Sequence, residues 1–151
     1  QNKPVFLKKG EHISWDKEGN VIGREIYSVD GITGIDSIFY SSGNLKWCGT
    51  LKYIHKQDKY FEFGKWSCYE ENGIKIEEYT MEVGLSHYRN SHGDYDTLPP
   101  AENGKRFLWY PDGKAKQILN YKYGKLDGEQ ILYDPNGKIS KEYYDIGVRT
   151  E

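Results

Sequence analysis

The chain lacks any apolar run approaching the roughly 18 residues of a membrane-spanning helix, so no helical span is expected. Alanine is rare, methionine occurs once, and no segment has the composition of an amphipathic helix. An excess of one charge is missing too. Lys+Arg 21 against Asp+Glu 23 gives a formal net charge of −2, and no basic run stands out. These totals give no electrostatic reason to bind nucleic acid or an anionic membrane. Catalytic signatures are equally scarce: HExxH, GxSxG, a P-loop and a dinucleotide fingerprint are all missing. The stretch YKYGK (121–125) fails as a phosphate loop, because it holds one glycine, Gly124, and opens no helix. No catalytic residue, metal site or cofactor is therefore expected, and a hydrolase is the least supported class. No signal peptide is visible. The chain nevertheless opens on Gln1 rather than Met, as it would after cleavage of a secretory or lipoprotein leader.

Aromatic residues and glycine fill the space. Tyr 14, Trp 4 and Gly 17 within 151 residues favour many short strands joined by tight turns. The mean hydropathy of −0.85 fits a thin sheet better than a thick two-sided core. At 17.6 kDa the chain fits one domain. Five segments align without gaps: GEHISWDKEG (10–19), GIDSIFYSSG (34–43), GKWSCYEENG (64–73), GKRFLWYPDG (104–113) and GEQILYDPNG (128–137). In each, two glycines lie nine apart and the fifth residue after the first glycine is aromatic.

The second glycine of each unit sits in a turn signal, where Asn-Gly or Asp-Gly supplies the positive φ of a hairpin turn. Strands are expected at 11–16 and 20–28, 35–41 and 44–54, 65–70 and 74–82, 105–110 and 114–123, and 129–134 and 138–145. The units start near 10, 34, 64, 104 and 128, which leaves six extra residues around 55–60 and a sixteen-residue insertion within 85–103. The expected fold is all-β: an extended antiparallel meander of five hairpins and about ten strands, with each unit resting on its neighbours.

The stretch YKYGKLDGEQILYDPNGKISKEYY (121–144), together with LWYPDGK (108–114) and CYEENG (68–73), resembles the bacterial variant of the MORN repeat (membrane occupation and recognition nexus). The resemblance covers roughly 10–147 and is strongest in the last two units. It implies a scaffold of stacked hairpins used for contact with other molecules, with no catalytic residues. Members resembling this bacterial group are often antitoxin-like or secreted, which implies a toxin-neutralising or immunity role.

Three sets of residues are candidates for function. The insertion concentrates His87, Tyr88, Arg89, His92, Asp94, Tyr95 and Asp96; read as a long loop on a regular scaffold, it is the expected contact site for a protein partner. His87, His92 and Asp94 match no metal-ligand spacing. The repeat-position aromatics Trp15, Phe39, Tyr69, Trp109 and Tyr133 share a strand face with Ile13, Ser37, Ser67, Phe107 and Ile131. They either pack the repeat core or form an exposed ladder for a peptide or glycan. Cys48 and Cys68 either face each other as a cross-strand disulfide, which suits an oxidising compartment, or are two small buried thiols. The strands at each end of the meander leave open a monomer or a weak edge-to-edge dimer. The function expected from all this is a protein-binding module of the cell envelope or periplasm, with a secreted glycan- or peptide-binding module as the alternative and a cytoplasmic location also open.

Overall fold

The computed structural model describes the backbone of residues 7–89 and 95–150, and side chains within these spans except 85–89 and 95–97. Thirteen strands form one antiparallel sheet. They are β1 (Gly10–Trp15), β2 (Val21–Tyr27), β3 (Thr33–Phe39), β4 (Leu45–Ile54), β5 (Lys59–Tyr69), β6 (Lys75–Arg89) and β7 (Tyr95–Glu102). Then come β8 (Gly104–Trp109), β9 (Ala115–Lys122), β10 (Lys125–Leu126), β11 (Gly128–Tyr133), β12 (Ile139–Asp145) and β13 (Val148–Arg149). Each strand pairs with its neighbour in chain order, except that β6 pairs both β7 and β8, and β9 both β10 and β11. The fold is the expected all-β meander. Its extra strands are β7 and the short β10 and β13.

The five repeat turns share one geometry. Gly19 N–H donates to the Asp16 carbonyl at 3.1 Å, and Asp16 N–H donates to the Asn20 carbonyl at 2.9 Å; the bonds recur at Tyr40, Glu70, Tyr110 and Asp134. Only the glycine takes positive φ, 82–88° in all five, which makes each a three-residue loop with a glycine bulge rather than a two-residue turn. In the first four hairpins the returning strand then carries one extra residue. Ser14 pairs Gly23 whereas Trp15 pairs Val21, and the same shift follows Ile38, Cys68 and Leu108. Two-residue turns do occur elsewhere, at Tyr123-Gly124 and Ile146-Gly147, with positive φ at both residues of each.

The insertion is not a loop. Its backbone continues β6 to Arg89 and returns as β7, with Leu85 opposite Thr97 and Arg89 opposite Tyr95. Pro99 and Pro100, expected to stiffen a loop exit, lie inside β7. Proline lacks an N–H but is tolerated where one side of a strand has no partner, and β7 pairs only β6. The six extra residues near 55–60 likewise lengthen a hairpin, β4–β5, around a short 3-10 turn at His55–Gln57. Both insertions therefore extend strands at the end of the sheet opposite the repeat turns.

Register and alternation assign two faces. On the packed face lie Tyr27, Leu51, Tyr53 and Trp66, all buried. Trp47, Tyr60, Tyr79 and Met81 pack around this cluster. Trp66 is fully covered and lies flat on Gly49, where a Cβ would come within 2.0 Å of its ring. Burying an indole contributes about 4–6 kcal/mol, offset by about 1–3 kcal/mol because its N–H has no partner.

Candidate functional site

The third residues of the five repeats, His12, Asp36, Trp66, Arg106 and Gln130, all lie on the packed face. In the last three repeats this residue closes the seam to the preceding hairpin. In the last three repeats the strand bulges beside the first glycine: the pairing jumps from Gly49–Trp66 to Thr50–Phe63. Gly64, Gly104 and Gly128 take positive φ there. Trp66 fills the first gap from above Gly49. Arg106 spans the second, with its Nε 2.6 Å from Glu77 on β6 and its Nη1 2.7 Å from Glu102. Gln130 fills the third: its Oε1 accepts the Asn120 N–H at 2.6 Å, and its Nε2 donates to the Gly128 carbonyl at 3.1 Å.

A polar network runs across this packed face. Tyr79 OH donates to Glu62 at 3.1 Å, and the Arg106 guanidinium lies 5.1 Å from the Tyr79 ring centroid. Burial, with Glu62 adding to it, pushes the Tyr79 hydroxyl far up. Burial and the neighbouring Glu77 push the Cys68 thiol up to about 12. Burial also raises the carboxyl of Asp36, with Glu25 beside it adding to the shift, and that of Glu102, which Arg106 partly offsets. No group here is poised as a nucleophile. A thiol and a phenol held protonated by burial fit a structural role. Among the described residues no cluster of His, Cys, Asp or Glu could hold a metal ion.

The opposite face is open. Trp15, Val21, Ile26, Ile35, Ile139, Tyr143 and Val148 are exposed apolar residues on it, and Trp15 keeps 58% of its surface. The five repeat aromatics lie here, away from the buried cluster, with Phe39, Tyr69, Trp109 and Tyr133 half-buried. Their expected strand-face neighbours form one row, which register traces from Ile13 through Ser37, Ser67, Phe107 and Ile131 to Lys141. Phe107 and Trp109 stack at 5.9 Å and 18°. Lysines cover the remaining rings: Lys52 is 4.7 Å from the Phe63 centroid and Lys59 is 4.6 Å from that of Phe61.

The candidate residues are therefore scattered. The aromatic row is assembled on one face. Cys48 and Cys68 lie on adjacent strands, but Cys48 pairs Ser67 and Cys68 pairs Trp47, and both are free thiols. Of the two alternatives, the disulfide does not fit this register, because a one-residue offset sends the two side chains to opposite faces. Within the insertion, His87, Tyr88, Arg89, Tyr95 and Asp96 lie on β6 and β7. Their side chains fall outside the described residues, and so do His92 and Asp94 altogether.

Tyr40 and Tyr110 were not expected as site residues. Each hydroxyl reaches into the next hairpin, to the Tyr69 carbonyl at 2.9 Å and to the Tyr133 carbonyl at 2.8 Å. A lysine from the bulge, Lys46 or Lys116, covers each ring. The signal was a tyrosine beside the repeat aromatic in the second and fourth units only, where the other units carry Asp16, Glu70 and Asp134.

A family model for the MORN repeat variant matches residues 102–123 and 126–145, which span the β8–β9 and β10–β12 hairpins. These two hairpins are similar to MORN-type repeats. A search of curated proteins finds no match to the chain.

Proposed function

We propose that this chain is a protein-binding module whose partner lies across the open face, and that the partner is a toxin which the module neutralises at the cell envelope. MORN repeats are generally protein- or membrane-binding modules. One observation carries the reading. Apart from the β6–β7 hairpin, exposed large apolar side chains within the strands gather on one face, whereas the buried cluster occupies the other. Exposed apolar side chains gathered on one side of a sheet mark interaction surface. The toxin-neutralising form of the proposal rests on the repeat resemblance alone. The β6–β7 hairpin, with His87 to Arg89 and Tyr95 to Asp96 on its strands, gives the partner a second contact.

The test is to identify the protein that the chain binds at stoichiometric ratio and to assay whether binding abolishes its toxicity. A Trp109→Ala variant and a variant lacking residues 86–100 should each weaken the complex at least tenfold while keeping the β-sheet circular dichroism spectrum. A complex unaffected by both changes refutes the site, and a bound partner that stays toxic refutes the neutralising role. A second reading, a glycan module, is favoured by the exposed Trp15 and the stacked Phe107–Trp109 pair. Saturable quenching of tryptophan fluorescence by oligosaccharides would select it.

A further inference from the structure

The near-zero net charge conceals a sheet with two electrically different sides. Alternation and register place Glu25, Asp36, Glu62, Glu77, Glu102 and Glu142 on the packed face. Among the described residues, Arg106, Arg149 and Lys46 are strand cations there. The open face has the opposite balance. Its glutamates are largely neutralised in place: Glu11 pairs with Arg24 at 2.5 Å, Glu78 with Lys65 at 2.9 Å and Lys75 at 2.8 Å, and Glu129 with Lys141 at 2.7 Å. Lys52, Lys59, Lys105, Lys122 and Lys125 lie on the same face without an ion pair among the described residues.

These cations sit at the end of the sheet opposite the repeat turns, whereas the aromatic row lies beside those turns. On β8 the open face runs from Lys105 through Phe107 to Trp109, and Lys122 pairs Lys125 across the β9–β10 turn. Successive rings of the row lie on alternate strands of the order, with β7 and β10 off the path, so neighbours are about 9.6 Å apart at ~4.8 Å per strand. The rings offer apolar contact, and Lys105, Lys122 and Lys125 offer charge that no ion pair or ring among the described residues takes up.

We propose that the open face docks an acidic segment of a protein partner, with its carboxylates on Lys105, Lys122 and Lys125 and its apolar side chains on the aromatic row. This rests on the protein-binding reading above and adds the chemistry of the partner. Complementary charge of this kind raises the association rate and rejects basic surfaces more than it adds raw affinity. Attraction between exposed charges also fades within a Debye length of about 8–10 Å, so the contact is salt-sensitive.

The probe is a fluorescein-labelled 20-residue glutamate peptide, titrated with the intact chain by fluorescence anisotropy at low and at 0.3 M salt. A lysine peptide and a thymidine oligonucleotide of equal length serve as comparisons. The expected result is binding of the glutamate peptide alone, weakened at least tenfold by salt. Lys105→Glu/Lys122→Glu/Lys125→Glu should weaken it at least tenfold, whereas Glu142→Gln on the packed face should stay within twofold. Because triple reversal can perturb folding, a glutamine triple at the same positions is run beside it and is expected to weaken binding at least threefold. The proposal is overturned if the glutamate peptide does not bind, if the glutamine triple binds as tightly as the intact chain, or if the oligonucleotide binds as tightly as the peptide. A partner that cross-links to Trp109 without an acidic segment at the contact would overturn it too, while leaving the protein-binding reading standing.

Discussion

Replacing Gln130 tests the account of how one hairpin is fastened to the next. The side chain is 1% exposed and stands where the ladder between β9 and β11 is interrupted. Gln130→Leu keeps the volume and removes every hydrogen bond. The Asn120 N–H, now accepted at 2.6 Å, loses its acceptor inside the sheet, which costs about 1–3 kcal/mol. The carbonyls of Gly128 and Asp127 lose their shared donor, adding about 1 kcal/mol. A total of about 2–4 kcal/mol is a large part of the roughly 5–15 kcal/mol that holds a domain together. In a linear array the loss falls mainly on one interface, so the β11–β12 hairpin should detach before the rest. Urea unfolding should show a lower midpoint with a shallower or split transition, and hydrogen exchange at Asn120 should accelerate.

Gln130→Glu adds a check of sign. A carboxylate facing two carbonyls is disfavoured, so its folded pKa rises above the unfolded value. Its stability is therefore greatest at acid pH, where the acid can donate as the amide did, and is lost as pH rises through the folded pKa. The reasoning is refuted if Gln130→Leu stays within 0.5 kcal/mol of the parent, or if Gln130→Glu is no less stable at pH 7 than at pH 4 relative to the parent.

Three further outcomes are expected. Gly49→Ala drives a methyl into the Trp66 ring at 2.0 Å and should destabilise by about 3 kcal/mol, seen as a lower Tm and a red shift of tryptophan emission. Ile146 holds φ 43°, which a β-branched residue strongly resists; Ile146→Gly should raise stability by about 0.5–1 kcal/mol, and an unchanged or lower denaturation midpoint would contradict this. Asp36→Asn removes a carboxyl whose pKa is raised by burial and Glu25. A raised acid penalises the folded state above its pKa, so the variant should be more stable than the parent at pH 7. That gain should vanish below the unfolded-state pKa of about 4, as thermal melts across pH would show.

Much of the architecture could be read from glycine. Tight turns need positive φ, so Gly19, Gly43, Gly73, Gly113 and Gly137 had to recur, and the hairpins followed. What recurs by backbone need is visible; what differs by chemistry is not. The third repeat position holds His, Asp, Trp, Arg and Gln in turn, so no recurrence marked it, though Trp66, Arg106 and Gln130 each fill the same gap in a different way. The extra residue after each of the first four turns was hidden because a bulge is a backbone event that many side chains permit, as Ile22, Lys46, Ile76 and Lys116 demonstrate. Cys48 pairs Ser67 rather than Cys68, a one-residue difference of register that is enough to reverse a face. The insertion looked like a loop because its His, Asp and Pro content is unlike that of the other strands. Pairing along β6 outweighed that composition. The charged faces were hidden as well, because a total sums over both sides of a sheet and alternation separates them.

The bulges beside Gly64, Gly104 and Gly128 fall at one height on successive hairpins. A bulge bends the strand that carries it, so three in a row make a crease crossing the middle of the plate. On one side lie the repeat turns, short and alike; on the other lie the long strands of β4 to β7. Anything laid across the full width of the open face has to follow that crease. The angle between the two halves, more than the shape of either, therefore decides which surfaces fit.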